Sequence, residues 1–128
     1  MTKFVLADTD VLIDFLRGHP AAIAVVKANA GRIILSSIVV AELYAGVKGD
    51  QERQALDELV ALFPLVPLTG DLARAAGLYK RDYAKSHGIG LADAVVAATV
   101  VSGNSELLTL NVKHYPMLKG LRPAYSKN

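Results

Sequence analysis

Short strand-like runs at residues 4–7, 33–35, 65–68 and 106–110 are separated by longer stretches of helical character. Runs this short suit buried strands, and the intervals between them are long enough for crossover helices. Strand alternating with helix is the signature of a parallel sheet flanked by helices. Helices are expected over 9–16 and 21–29, then from a cap at Ser36 or Ser37 to 47, and over 50–62 behind an Asp50 cap. A long helix capped by Thr69 or Asp71 should reach about His87, where Gly88 and Gly90 break it, and another should span 91–102. Pro67 marks the third run as irregular or an edge strand. Residues 113–115 read as a turn, and 121–124 as a short last strand.

No repeat, low-complexity tract or Pro/Gly-rich linker interrupts the 128 residues, so 1–128 reads as one domain. Hydrophobic residues make up 52%, enough for a self-standing core. No apolar run approaches the roughly 18 residues of a spanning helix. The start, Met1-Thr-Lys-Phe4, passes directly into a strand and lacks the marks of a signal peptide. With no cysteine there is no disulfide or thiolate metal site, and cytoplasmic residence is the expectation. The net charge of +2 is too small to announce a polyanionic partner. Its distribution is uneven: residues 1–64 hold 6 Lys/Arg and 8 Asp/Glu, and residues 65–128 hold 8 and 4. That asymmetry suits a cation site beside a phosphate-tracking surface, and suits a chance distribution of solvated charge equally well.

Three acids stand in otherwise apolar stretches. Asp8 ends the first strand, Glu42 lies in Ser37-Ile-Val-Val-Ala-Glu42-Leu-Tyr-Ala-Gly46, and Asp93 opens Leu91-Ala-Asp93-Ala-Val-Val-Ala-Ala98. In a parallel α/β unit helices begin where strands end, so all three can face one sheet edge. Clustered buried carboxylates repel one another, and a divalent cation removes that cost. Hard ions such as Mg²⁺ and Mn²⁺ prefer oxygen ligands of this kind. By local sequence alone, the favoured role of Asp8 and Asp10 is to cap the first helix. For Asp10 the cap is the preferred role, with assistance to the site second.

These segments, with Asp8-Thr-Asp-Val-Leu-Ile-Asp14 and Leu108-Thr-Leu-Asn111, resemble in order and spacing the motifs of PIN domains. The likeness is to the small VapC-type toxins of toxin–antitoxin pairs and covers nearly the whole chain. It implies a three-layer α/β/α sandwich with a central, mainly parallel sheet. It also implies an endoribonuclease using Mg²⁺ or Mn²⁺, with Asp8, Glu42 and Asp93 as the acids. Asn111 falls where the family has a fourth acidic position, which leaves three carboxylates. Asp8 and Asp93 would hold the cation, Glu42 would ligate through water or help place the nucleophile, and Asn111 would orient water or phosphate. Thr9, Asp10 and Thr109 are supporting polar residues. The implied partners are RNA, a second copy of the chain and a VapB-type antitoxin, with no membrane. The antitoxin's tail would cross the first and third helices near Leu12, Leu16, Val40 and Tyr44.

Lys80, Arg81, Lys85, Lys113 and His114 are candidates for RNA contact, against a default of solvated surface. For His114 the default is a turn histidine facing water. Asp14 and Arg17 read as a surface i,i+3 pair, and Asp71 as a cap only. His87 and His114 lack zinc-ligand spacing. A haloacid-dehalogenase-type phosphotransfer domain would use Asp8-Thr-Asp10, but helix follows at once and no late Asp-Asp pair exists. A response-regulator receiver would need an Asp at the end of its middle strand, where this chain has Thr69. The other open reading is a catalytically weak PIN-like scaffold that binds RNA or protein.

Overall fold

The computed structural model describes residues 3–127, so the ends of the 1–128 span lie outside the described residues. Four strands, β1 (Val5–Ala7), β2 (Ile33–Ser36), β3 (Leu65–Val66) and β4 (Glu106–Leu108), form one sheet in the order β3-β2-β1-β4. Every pairing is parallel, with Val5 opposite both Ile33 and Glu106. Six helices alternate with them: α1 (Thr9–Leu16), α2 (Pro20–Ala28), α3 (Ser37–Ala45), α4 (Gly49–Val60), α5 (Gly70–His87) and α6 (Leu91–Ser102). The result is the expected α/β/α sandwich.

The strand order decides where a site can form. The chain steps outward from β1 to β2 to β3, then returns across the sheet to lay β4 on the other side of β1. Right-handed crossovers therefore place helices on both faces, and the direction reverses between β1 and β4. At such a switch point the loops leaving two neighbouring strands part and open a crevice. Asp8 directly follows β1 and Thr109 directly follows β4.

Central β1 is fully buried, which explains its unbroken apolar sequence. Leu6, Leu12, Ile33, Leu35, Val39, Leu56 and Val96 form the main core with Tyr115. Helix α6 is buried from Ala94 to Val100. Val96, Ala97 and Val100 meet the main core, and Ala94, Val95 and Ala98 meet Leu72 and Ala76 of α5. Its alanines let it sit between two layers.

Several local expectations are corrected. No strand forms over 121–124; that segment is tied back by one backbone bond, Ala124 N–H to the Thr109 carbonyl at 2.9 Å. Asp50 does not cap α4. Lys48 is the cap position, its N–H donates to the Glu52 carboxylate at 2.9 Å, and Asp50 lies in the first turn. Thr69, not Asp71, caps α5 through its hydroxyl oxygen, which accepts from Leu72 N–H. The turn expected at 113–115 does form, as a single 3-10 turn over residues 112–114.

Candidate active site

Asp8 is the N-cap of α1 and is almost wholly buried. Its Oδ1 accepts from the Thr9 N–H at 2.8 Å, as a cap does. Its Oδ2 turns the other way and accepts two hydroxyl protons, from Thr109 at 2.8 Å and Tyr115 at 2.7 Å. Asp8 therefore joins the ends of β1 and β4, in addition to the capping role its local sequence suggests.

Asp93 lies in the first turn of α6, half-buried. Its Oδ1 is 3.3 Å from the same Tyr115 hydroxyl, and its Oδ2 is 3.2 Å from His114 Nδ1. Desolvation, then the charge of Asp8, raises the Asp93 carboxyl above its ordinary value. His114 is thus paired with an acid while its side chain stays partly open to water, as a turn histidine was expected to be. Asp10 is not the cap of α1 but lies in its first turn. Its Oδ1 accepts from Val11 N–H and its Oδ2 from Leu110 N–H, both at 2.8 Å, so it pins the residues after β4. Burial, then Asp8, raises Asp10 as well.

Glu42 is more distant. It is exposed on α3 and meets the group through Thr9, whose hydroxyl donates to Glu42 Oε1 at 3.0 Å. Asn111 is exposed, and its N–H donates to Thr109 Oγ1 at 3.1 Å. The basic candidates divide. Lys113 and Lys85 are exposed, Arg81 pairs with neighbouring Asp82, and Lys80 is turned inward to donate to the Ile89 carbonyl at 2.8 Å. Lys80 therefore closes the α5–α6 loop.

Tyr115 is the residue that sequence reasoning missed. It is 1% exposed and lies between the two acids. Burial first, then Asp8 and Asp93, pushes its hydroxyl above its ordinary value and keeps it a proton donor. Nothing in a lone aromatic after a turn announces that position. Asp14, expected in a surface pair, is instead buried, and its carboxylate accepts hydrogen bonds from the Tyr125 hydroxyl at 2.7 Å and from Lys127 Nζ at 3.0 Å. Arg17 stays exposed and does not pair with it.

Asp8, Asp10 and Asp93 lie together at one sheet edge, with Asp10 and Asp93 raised by burial first and then by the charge of Asp8, and such a set fits a hard cation in chemistry. Among the described residues, however, no three acidic or histidine side chains converge into a group that could hold a metal ion. Any ion there would have to resemble Mg²⁺, which keeps several waters and takes one or two carboxylates together with substrate phosphate.

The PIN domain family matches residues 5–115, a span that begins with β1 and ends on Tyr115. The chain belongs to the PIN-domain family. Among its relatives in that family, Ribonuclease VapC19 of Mycobacterium tuberculosis is 40% identical over 124 residues, covering 94% of this chain and 98% of the relative. Ribonuclease VapC10 of the same organism is 40% identical over 125 residues, covering 95% and 93%. A toxin–antitoxin complex from Klebsiella pneumoniae contains a chain that superimposes with a TM-score of 0.81 at 25% identity, covering 94% of this chain and 98% of that one. This PIN-domain chain thus spans nearly the whole length of the proteins it resembles.

Proposed function

We propose that residues 1–128 form one PIN domain that hydrolyses RNA phosphodiester bonds, and that the protein is the toxin of a toxin–antitoxin pair. The observation that carries the reading is the pair Asp8 and Asp93 set against one hydroxyl at the switch point of the sheet. Its near-full-length similarity to proteins named ribonuclease supports the substrate class.

Asp8 and Asp93 would hold Mg²⁺ or Mn²⁺. When bound, such an ion acidifies water and offsets negative charge on the scissile phosphate. The chain's own residues do the rest. Thr109 and Tyr115 hold the Asp8 carboxylate still. Asp10 fixes the turn that presents Asn111 and Lys113, which reach phosphate or ordered water. Glu42, kept in place by Thr9, acts on water rather than as a direct ligand. His114 steadies Asp93 from its other oxygen.

A partner surface adjoins the site. An apolar groove of about 240 Å³ runs between α1, α3 and α4, lined by Ile13, Leu16, Leu43, Val47 and Leu56, with Glu42 at its rim. It would seat the tail of an antitoxin, and a basic side chain from that tail would reach Glu42. The expected seat over Leu12 is corrected, because Leu12 is fully buried. A second copy of the chain is the other partner we propose, and cytoplasmic RNA the target.

The test is cleavage of single-stranded RNA by the purified protein with Mn²⁺ or Mg²⁺. Activity should stop in EDTA, and Asp8→Ala and Asp93→Ala should each abolish it. Intact activity in EDTA would refute the cation, and RNA left uncut by the wild type in either metal would leave a binding scaffold.

A further inference from the structure

The structure assigns Tyr115, together with Thr109, a part in selecting the cation: their two hydroxyls fill Oδ2 of Asp8 and leave that carboxylate one open oxygen. This rests on the cation reading above and deepens it. An ionised carboxylate has about four acceptor positions, two on each oxygen. On Asp8, Oδ2 accepts from Thr109 at 2.8 Å and Tyr115 at 2.7 Å, and Oδ1 accepts from the Thr9 N–H at 2.8 Å. What remains is on Oδ1.

Neither hydroxyl is free to leave. Thr109 is wholly buried, and its oxygen also accepts from the Asn111 N–H at 3.1 Å. Tyr115 belongs to the main core, its N–H donates to the Val112 carbonyl, and its own carbonyl accepts from Leu118 N–H. A phenylalanine would fill the same space, so packing alone does not call for the hydroxyl. That hydroxyl has one proton to donate, and its shorter contact is the one to Asp8, at 2.7 Å against 3.3 Å for Asp93. Asp93 Oδ1 is therefore the weaker contact of that hydroxyl, and Asp93 Oδ2 faces His114 Nδ1 at 3.2 Å.

A carboxylate held to one oxygen treats cations unequally. Mg²⁺ takes six ligands, keeps water and is content with one oxygen from each carboxylate. Ca²⁺ takes six to eight oxygens and gains from carboxylates that offer both. Locking Oδ2 therefore disfavours the larger ion more than the smaller.

The experiment compares wild type, Tyr115→Phe and Thr109→Val as full chains. Mn²⁺ affinity is measured by calorimetry and by the electron paramagnetic resonance signal of the free ion, and Ca²⁺ affinity by displacement of Mn²⁺. Tyr115→Phe should lower the preference for Mn²⁺ over Ca²⁺ by about tenfold, the scale of one hydrogen bond to a charged group. Thr109→Val should move it the same way, and Thr109→Ser, which keeps the hydroxyl, should restore it. Circular dichroism establishes which variants are folded, and the ratio is read from those. An unchanged ratio in a folded variant that binds Mn²⁺ overturns the inference and leaves the cation site standing. If the wild type binds no Mn²⁺, the cation reading itself fails.

Discussion

Thr9 holds two acids at once: its N–H donates to Asp8 Oδ1 at 2.8 Å, and its hydroxyl donates to Glu42 Oε1 at 3.0 Å. One residue in the first turn of α1 thus links the buried acid at the end of β1 to the exposed acid on α3. The backbone half of that link survives any substitution, and the hydroxyl half does not. Thr9→Val should therefore reduce RNA cleavage by about tenfold or less, since one hydrogen bond to an exposed charge is lost. Thr9→Ser should retain activity. In a Glu42→Gln background the Thr9→Val change should add little, and full additivity of the two losses in rate would show that Thr9 does not act through Glu42.

The strain on Asp93 predicts a trade between stability and cation binding. Its carboxyl is raised by desolvation and by Asp8, as is that of Asp10. Between the ordinary carboxylate value and the raised one, the folded state holds more protons than the unfolded state. Stability of the metal-free protein should therefore fall as pH rises through that window, and the cost should persist at neutral pH. Asp93→Asn should raise the metal-free melting midpoint at pH 7, by the increment usual for relieving a strained site, about 0.5–2 kcal/mol. The same variant should lose most of the rise in midpoint that Mn²⁺ produces in the wild type. Thermal scans with EDTA and with Mn²⁺ check both, and an unchanged Mn²⁺ response would remove Asp93 from the cation site.

The sheet was legible because its signals are local. The bounds of α1 and α6 follow from Asp8 and Gly18 at one helix and from Gly90 and Gly103 at the other. Asp8, Asp93 and Glu42 stood out because each interrupts an apolar stretch. What escaped notice depends on contacts far apart in sequence. Tyr115 meets Asp8 across 107 positions, and Tyr125 and Lys127 meet Asp14 across 111 and 113. From α1 alone, Asp14 beside Arg17 has the look of a surface pair. The strand expected at 121–124 failed for a related reason. An apolar pattern there is served by packing Leu121 and Ala124 against the core, with one backbone bond to Thr109 instead of a ladder.

The Asp14 cluster fastens the end of the chain to α1. Tyr125 and Lys127 both donate to the Asp14 carboxylate, and Tyr125 stacks on His19 with ring centroids 5.5 Å apart. Burial opposes ionisation of Asp14, but the Tyr125 hydroxyl and the Lys127 ammonium outweigh it and hold the carboxyl below its ordinary value. The stabilisation is therefore present above the ordinary carboxylate range and lost as pH falls through the lowered value. Tyr125→Phe should cost about 1–3 kcal/mol in urea unfolding at pH 7, because it leaves a buried acceptor short of a partner. The difference between variant and wild type should shrink toward acidic pH. A difference that does not change with pH would mean that Tyr125 contributes through packing alone.

The groove between α1, α3 and α4 gives the partner reading its sharpest test. Leu16 is 39% exposed at its edge, so Leu16→Glu removes apolar surface from the groove with little disturbance of the core. Folding stability should stay within about 0.5 kcal/mol of wild type, as for other surface substitutions. Affinity for the cognate antitoxin should fall by about tenfold or more, corresponding to the loss of one apolar anchor and the approach of a new acid to Glu42. Any change in cleavage by the isolated protein should be no larger than that of Glu42→Gln, because Glu42 is the one acid of the site that shares the groove with Leu16. Cells co-expressing antitoxin with the Leu16→Glu variant should then be less well protected than cells carrying wild type at equal protein level. Calorimetry of the purified pair separates this from altered expression, and an antitoxin that binds the variant as tightly as the wild type must seat elsewhere.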